Sequence, residues 1–493
     1  MEYLCLKAKQ PFRQTARQCL GRLSRLWILL LYALAISACE PDARNGSWNN
    51  PYPVSERTAN ILYTSFSGRP KHLDPAQSYS ANEVIFTGQI YEPPLQYHYL
   101  KRPYELIPLA AAQIPEAVYF NNQGNELPDN APIKDIAHTV YIVKIKQGIR
   151  YQPHPAFAQD KLGKPLYLKL SPEDIATKST LADFPETGTR ELIADDFVYE
   201  IKRLAHPRLH SPIYGLMTEY IVGLREFGDQ LRHADQELKE EKGEESFLDL
   251  NPFRISGVEA IDRYTYSIKI KGTYPQFLYW LAMPFFAPVP PEADRFYAQP
   301  GMDKKNITLD WYPIGTGPYM STENNPNLKM VLERNPHFHG EQYPAQGEPG
   351  DREAGLLDDA GKDVPFIDKI VHSLDKEGIP SWNKFLQGYY DTSGISSDSF
   401  DQAINFNAAG EAGLSETMAT KGIDLVTAVG TSTLYIGFNM QDSLIGGDSE
   451  RARKLRRAIA VAVDMEERIS IFRNDRGIAA QGPIPPGIFG YQG

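Results

Sequence analysis

The chain has 493 residues, of which 42% are hydrophobic and 23% are charged, which excludes a disordered or fibrous protein and allows roughly two to four globular domains. Lysine and arginine number 51 against 62 aspartate and glutamate. Outside the first 38 positions, which hold six basic residues and one acidic residue, the counts are 45 and 61, a net charge of −16. Such an acidic chain is a poor candidate for nucleic-acid binding, because affinity for phosphate requires clustered lysine and arginine.

The N-terminus has the pattern of a secretory signal peptide, with six basic residues ahead of an apolar stretch over residues 26–36. This stretch is shorter than the ~20 residues that a membrane-spanning helix needs, and no other continuous apolar stretch follows, which excludes a multi-span membrane protein. The four residues that end at Cys39 (Ile-Ser-Ala-Cys) resemble the lipobox of bacterial lipoproteins. The resemblance implies that residues 1–38 are removed and that Cys39 is lipidated and anchors the protein. The alternative is an ordinary secretory signal with a coincidental cysteine.

The cysteines place a further limit on the chemistry of the body. Cys5 and Cys19 lie within the predicted leader, so the mature chain holds only the thiol of Cys39. An internal disulfide and a thiolate zinc site are therefore excluded. Residues 39–57 are rich in proline, asparagine and glycine and lack periodicity, which predicts a tether between the anchor and the folded body.

Hydrophobic periodicity and cap residues predict a series of elements in the body. In chain order they are a strand over 60–66, a helix over 81–90, a strand over 139–145, a helix that begins at an N-cap on Asp195 and ends at Pro207, a turn and strand over 261–270, a helix over 453–463, and a helix opened by a capping box of Asp464 and Glu467. Three polar or charged stretches, over 120–134, 230–246 and 341–363, look like insertions that form solvated faces or mobile loops. Strands and helices alternate irregularly, which predicts a mixed α/β protein of several domains.

Two glycine-rich segments begin like nucleotide-binding motifs and then depart from them. Gly315 and Gly317 are followed by Pro318, which removes a backbone amide, and by Met320, where the dinucleotide fingerprint has its third glycine. We therefore predict a tight turn without a ligand role. Residues 355–363 have one residue too many for a phosphate loop and an aspartate where the magnesium-binding hydroxyl should stand.

Catalytic and metal-binding signatures are equally weak. The chain has no His-Glu-x-x-His or Gly-x-Ser-x-Gly segment. His337 and His339 alternate as a metal pair on a strand would, but the neighbouring proline and glycine favour a surface turn. We predict no catalytic residue, no metal site and no cofactor. The 28 tyrosines favour instead a small-ligand cleft between domains, lined by aromatic side chains.

Eight short motifs follow one another along the body. They are Leu73-Asp74-Pro75-Ala76, Gln89-Ile90-Tyr91-Glu92, residues 194–199 with Lys202 and Arg203, residues 314–319, residues 331–336, Phe438-Asn439, Arg456 with Ala462-Val463-Asp464, and residues 482–487. Each motif alone is weak, but in this order they resemble the family 5 extracellular solute-binding proteins. These proteins are the oligopeptide-, dipeptide- and nickel-binding components of ABC importers. The resemblance covers the chain from about residue 60 to its end.

The resemblance implies an α/β, two-lobed periplasmic-binding-protein-like fold in which the lobes close over ligand around a hinge, with a third domain inserted in the first lobe. Transferred to this chain, lobe I comprises residues 58–91 and 270–372, the extra domain comprises 92–269, and lobe II comprises 373–493.

The resemblance also implies where the ligand lies. In the family, the loop after the Leu-Asp-Pro motif contacts an extended ligand through its backbone, which points to Tyr79, Ser80 and Ala81. The strand that carries the Phe-Asn motif borders the cleft from the other lobe, which points to Tyr435 and Asn439. Plain packing is the alternative role for each of these five residues.

One departure from the family pattern concerns the C-terminus. Family members continue beyond the Pro-Pro-Gly segment through more of lobe II, including a motif with a tryptophan and an aspartate whose carboxylate binds the amino group of peptide ligands. Here none of the five tryptophans lies beyond Trp382. We therefore expect the sequence to be the N-terminal portion of a longer protein, with lobe II incomplete.

The function implied by the resemblance is that of a monomeric, lipid-anchored substrate-binding protein of an ABC importer, on the periplasmic side of the bacterial cell envelope. It would capture a small solute, with an oligopeptide as the first expectation, and deliver it to a membrane permease without chemical change. Metal chelates, haem and sugars stay open as ligands. Two other functions also stay open, an envelope lipoprotein hydrolase and a non-transport sensor or interaction protein on the same fold.

Overall fold

The computed structural model of the chain describes residues 51–56, 58–406 and 412–492. The predicted leader, the predicted lipidation site Cys39 and most of the predicted tether lie outside these residues. Within them, no helix combines the length and the apolar character needed to cross a membrane.

The described residues form short strands and helices joined by long connections. The strands are β1 (Ile61–Phe66), β2 (Leu95–Tyr97), β3 (Leu106–Pro108), β4 (Ala117–Phe120), β5 (Glu126–Leu127), β6 (His138–Lys144), β7 (Val258–Asp262), β8 (Thr265–Lys271), β9 (Tyr319–Asn325), β10 (Lys329–Arg334), β11 (Glu341–Gln342), β12 (Asp363–Val364), β13 (Lys369–Leu374), β14 (Ile404–Phe406) and β15 (Ala412–Leu414). The α-helices are α1 (Ala81–Ile90), α2 (Pro172–Ala176), α3 (Ala194–Arg203), α4 (Tyr214–Tyr220), α5 (Leu224–Lys242), α6 (Phe277–Trp280), α7 (Pro291–Tyr297), α8 (Gly378–Leu386), α9 (Phe400–Ala403), α10 (Glu416–Ala419), α11 (Glu450–Ala462) and α12 (Met465–Arg473).

A four-stranded mixed sheet in the order β1-β13-β10-β9 joins the beginning of the described chain to its middle. β1 is parallel to β13, with Ile61 opposite Lys369, and β10 is antiparallel to both β13 and β9. Helix α1 covers this sheet, because Phe86 and Ile90 on its inner face are fully buried in one core with residues of β1, β10 and β13. The strand predicted over 60–66 and the helix predicted over 81–90 are confirmed. The loop between them is therefore held at both ends by regular structure.

A second, five-stranded antiparallel sheet has the order β5-β4-β6-β8-β7. In β6, Tyr141 and Val143 point into the core while Ile142 is exposed, so the half-buried strand predicted over 139–145 is confirmed. Helix α3 packs on this sheet through Phe197 and Ile201, both 1% exposed. The core of this sheet is continuous with buried residues up to residue 314.

The chain beyond β13 forms a third and smaller core around Trp382 of α8, Phe400 of α9 and Met418 of α10. Farther along, large apolar side chains are mostly exposed, for example at Val426, Leu434, Phe472 and Phe489. The limits given above for lobe I, the extra domain and lobe II stay a prediction.

The start of α3 differs from its prediction. The N-cap residue is Ile193 and not Asp195. The carboxylate of Asp196, in the third helical position, accepts the backbone N–H of Ile193 at 3.1 Å. Because of this bond the helix begins two residues earlier than predicted. Asp195 therefore lies inside the first turn, where a negative charge is favourable at a helix N-terminus.

The other helices follow their cap residues and charge patterns. α11 begins three residues before the predicted start, because the hydroxyl of Ser449 accepts the N–H of Ala452 at 3.2 Å. Asp464 is confirmed as the N-cap of α12, where it accepts the N–H of Glu467 at 2.9 Å. The charged run over 230–246 lies largely in α5, whose exposed face it forms.

Candidate ligand-binding site

The loop between β1 and α1 carries the three site residues predicted in lobe I, and carboxylates fix its course. Asp310 accepts the backbone N–H groups of Leu73 and Asp74, each at 3.0 Å. The carboxylate of Asp74 accepts the N–H of Ala76 at 3.0 Å, and its carbonyl accepts the N–H groups of the next two residues. The Leu-Asp-Pro-Ala motif is therefore a hydrogen-bonded turn that sets the direction of the following segment.

Arg203 of α3 ties this turn to the second sheet. Its guanidinium, 1% exposed, lies 2.7 Å from Asp74, 2.9 Å from Glu200 and 3.0 Å from Asp294 of α7. Burial raises the pKa of Glu200 well above its ordinary value, against the attraction of Arg203. The three carboxylates have one cation between them, so the stability of this cluster depends on the charge of Arg203. Two of the family-like motifs, which are far apart in sequence, meet in this ion pair.

Glu83 of α1 holds the loop from the other side. Its carboxylate is 2% exposed and accepts the N–H groups of Lys71 at 3.0 Å and His72 at 3.1 Å on one oxygen, and those of Tyr79 at 2.8 Å and Ser80 at 2.9 Å on the other. Burial alone would raise the pKa of Glu83, but these four donors outweigh it and lower the pKa. Glu83 is therefore ionised at neutral pH and joins the two ends of the loop.

This support leaves the predicted ligand residues at the surface. Tyr79 is 70% exposed, with its ring centroid 6.2 Å from that of Phe285. Ala81 is exposed and Ser80 is half-buried. In the part of the chain that the structure describes, the carbonyl of Tyr79 and the N–H of Ala81 have no hydrogen-bond partner. The loop thus offers one backbone acceptor and one backbone donor close together, as recognition of an extended ligand requires.

Tyr435 and Asn439 do not lie on the predicted strand. Over the described residues 423–439 the chain forms no hydrogen-bonded strand, so that prediction is wrong. The family resemblance implies a strand here, but a strand needs a neighbour to pair with, and the described residues supply none. Tyr435 is 85% exposed, and the side-chain oxygen of Asn439 accepts the N–H of Gln441 at 3.0 Å in a turn.

The structure does not bring the two halves of the predicted site together. Among the described residues, no hydrogen bond or ring contact joins the 79–81 loop to Tyr435 or Asn439. Two open cavities lie elsewhere, one of about 300 Å³ beside Arg190 and Arg295, and one of about 560 Å³ beside Tyr104 and Tyr279. The ligand roles of Tyr79, Ser80, Ala81, Tyr435 and Asn439 stay predictions.

Gly315 and Gly317 allow two backbones to approach each other. The N–H of Gly317 donates to the carbonyl of Ile90 at the end of α1, at 2.9 Å, and a Cβ on Gly317 would lie 2.7 Å from that oxygen. A Cβ on Gly315 would overlap the same oxygen. Neither glycine has a positive φ, so close packing against α1, rather than the conformation of a tight turn, requires glycine here.

We expect Gly315→Ala to destabilise the protein by about 1–3 kcal/mol or more, because the added methyl group must displace backbone rather than a side chain. Gly215→Ala is the matched control, since a Cβ there meets nothing within 4 Å and lies in α4, where alanine is favoured over glycine. Urea unfolding of both variants checks this. Equal stabilities would contradict the packing role of Gly315.

His337 and His339, the two histidines with the spacing of a metal pair, have different surroundings in the structure. Nε2 of His339 lies 2.8 Å from the carboxylate of Glu92, which is 1% exposed, while His337 lies in a turn. Across the described ranges, no three His, Cys, Asp or Glu side chains are grouped so that they could hold a metal ion.

The fold is that of the two-lobed periplasmic binding proteins. The structure resembles that of the periplasmic binding protein DppA from Helicobacter pylori in complex with peptide STSA, with a TM-score of 0.53 at 16% identity over 89% of this chain and 64% of that chain. It also resembles Listeria monocytogenes OppA bound to peptide, with a TM-score of 0.50 at 16% identity over 87% of this chain and 61% of that chain.

The sequence comparisons define the family. Residues 188–493 match the bacterial extracellular solute-binding proteins, family 5 Middle, and the chain belongs to this family. Over 145 residues it is 28% identical to the periplasmic oligopeptide-binding protein OppA of Salmonella typhimurium, which covers 29% of this chain and 22% of that protein. The chain thus spans less than two thirds of the length of these relatives.

Sequence reasoning missed the residues that hold the candidate loop: Glu83, Asp310 and the partnership of Asp74 with Arg203. One signal was present, because Ser80 and Glu83 have the Ser-x-x-Glu spacing of a capping box. The other two contacts cross between distant segments, and no local pattern indicates them.

Proposed function

We propose that the protein is a substrate-binding component of an ABC importer that captures an oligopeptide between its lobes and delivers it to a permease. Membership of a solute-binding family supports a binding role without catalysis. The two structural neighbours named above, each solved with a peptide, support a peptide as the ligand.

The same proposal includes the location of the protein. The basic leader, the apolar segment and the lipobox-like residues before Cys39 support export and lipid anchoring on the periplasmic side of the membrane. The periplasmic binding proteins among its relatives support the same compartment. We propose that it acts there as a monomer.

The observation that carries the proposal is the 79–81 loop. It combines a fixed course, an exposed aromatic ring and backbone groups on Tyr79 and Ala81 that no other described residue pairs with. Fixed geometry lowers the entropy lost when a ligand binds, and backbone pairing accepts peptides of many sequences. A ligand that contacts both lobes then stabilises their closed arrangement, which is a shift in population.

Incubation of the purified protein with the peptides Ser-Thr-Ser-Ala and tetra-alanine tests the function. We expect a rise in melting temperature that grows with peptide concentration, and peptides of unchanged mass. Cleaved peptides would instead identify a hydrolase. The absence of both binding and cleavage would favour a sensor or interaction protein and would contradict the proposal.

Tyr79→Ala is expected to weaken peptide binding about 5- to 30-fold, because an aromatic side chain in contact with ligand contributes about 1–2 kcal/mol. Leu162→Ala is the control, since Leu162 is 93% exposed and lies in a turn outside the 79–81 loop. Calorimetric titration with Ser-Thr-Ser-Ala measures both. An affinity of Tyr79→Ala equal to that of Leu162→Ala would remove Tyr79 from the site.

A further inference from the structure

All backbone N–H groups from Lys71 to Ser80 are used inside the protein. Glu83 accepts four of them, Asp310 accepts two, the carboxylate of Asp74 accepts one and the carbonyl of Asp74 accepts two. Pro75 has no N–H group. A segment of ten residues without regular secondary structure therefore has no backbone donor left for a ligand.

Glu83 accepts more of these hydrogen bonds than any other residue, and it binds both ends of the loop. One of its oxygens binds the segment that enters the loop, and the other binds the segment that contains Tyr79 and Ser80. The hydroxyl of Ser78 adds a fifth, longer contact at 3.4 Å. Because the carboxylate is 2% exposed, water cannot readily replace it as the acceptor.

We propose that Glu83 is a positioning residue for ligand recognition, an inference that rests on the proposed function. By drawing the N–H groups of Tyr79 and Ser80 inward, Glu83 leaves the carbonyl of Tyr79 and the N–H of Ala81 for the ligand. The loop therefore offers a ligand one backbone acceptor and one backbone donor, and it selects ligands that bring both an N–H donor and a carbonyl acceptor, such as an extended peptide backbone.

Glu83→Gln tests this with almost no change of shape. An amide has one acceptor oxygen, and its NH₂ group would face two N–H donors, so one of the two backbone pairs must lose its acceptor. We expect hydrogen exchange at least tenfold faster at the amides of Lys71 and His72 or at those of Tyr79 and Ser80. Asp183→Asn is the matched control, because Asp183 accepts the N–H groups of Ser179 and Thr180 at 2.7 and 2.9 Å in a different, exposed loop.

Peptide binding is the second readout. We expect Glu83→Gln to weaken binding of Ser-Thr-Ser-Ala at least tenfold, and Asp183→Asn to leave it within twofold of wild type. Faster exchange with unchanged affinity would overturn the positioning role. If the wild-type protein binds no peptide, the proposed function fails, while the exchange data still test the role of Glu83 in the free protein.

If Glu83→Gln does not fold, hydrogen exchange of the wild-type protein still tests the proposal. The amides of Tyr79 and Ser80 are expected to exchange at least tenfold more slowly than the amide of Ala81, which has no acceptor within the described ranges. Equal rates for all three amides would overturn the proposal without any variant.

Discussion

Between pH 7 and about pH 4.5 the free energy of unfolding is expected to fall by about 7 kcal/mol through the titration of three buried histidines. Burial lowers the pKa of His154 to about 3 and the pKa values of His206 and His372 to about 4. In the unfolded chain a histidine titrates near pH 6.5. Because the unfolded chain then binds protons that the folded chain does not, stability is complete above that pH and is lost as the pH falls.

The environments of two of these histidines explain why each stays neutral. Nδ1 of His154 accepts the N–H of Ala156 at 3.0 Å, and Nε2 lies 2.8 Å from the hydroxyl of Tyr297. Both ring nitrogens of His372, on the central strand β13, are buried without a hydrogen-bond partner among the described residues, and the ring lies edge-on to Phe86. A charge at either position would lack solvation.

Circular dichroism with urea titration at several pH values measures this effect. Buried carboxyls oppose it, since burial raises the pKa values of Glu200, Asp196 and Asp310, and these carboxyls gain protons in the folded state as the pH falls. His372→Phe isolates the histidine contribution. Its stability should fall by about 2–3 kcal/mol less than that of wild type over the same range. His233→Asn is the control, because His233 is exposed. Its stability should fall by the same amount as that of wild type over this pH range. If the stability of His372→Phe also falls by as much as that of wild type, His372 is not neutral in the folded protein.

Arg203→Met is expected to cost about 3–5 kcal/mol at neutral pH. The variant keeps most of the side-chain volume but leaves the buried Asp74 and Glu200 and the half-buried Asp294 without a cation. Without the cation the burial that already raises the pKa of Glu200 is no longer opposed by Arg203. The sign of the pH dependence follows from this, because a carboxyl with a raised pKa in the folded state gains stability as the pH falls from 7 toward 5.

Arg295→Met is the matched control, because the pair of Arg295 with Asp249 has side chains 44% and 39% exposed. Such exposed pairs contribute about 0–1 kcal/mol. Urea unfolding of both variants at pH 7 and pH 5 gives the comparison. A loss for Arg203→Met no larger than that for Arg295→Met would show that the buried cluster does not require its cation.

The parts of the fold that the sequence predicts correctly are those with a local cause. The β-branched and aromatic residues of β1 specify that strand within its own six residues. The N-cap of α12 is equally local, since Asp464 bonds an amide three residues away. Where two local signals compete, as at Asp195 and Asp196, the contact that closes the first turn decides the start of the helix.

The rest depends on contacts between distant segments. The family resemblance implies a strand that carries Asn439, but a strand needs a neighbour to pair with, and the described residues supply none. The link between Asp74 and Arg203 spans 129 residues, and the acceptor for Leu73, Asp310, lies 237 residues away. The candidate site therefore followed from a family resemblance, while the groups that hold it became visible only in the folded chain.

Photo-cross-linking from position 79 tests the central claim most directly. Tyr79 is replaced by p-benzoylphenylalanine, and the purified protein is irradiated with biotin-labelled Ser-Thr-Ser-Ala, with the same replacement at Leu162 as the control. The expected result is saturable labelling at position 79 that unlabelled peptide displaces, and none at position 162. Equal labelling at both positions, or none at position 79 under conditions where the peptide binds, would contradict the assignment of this loop to the ligand.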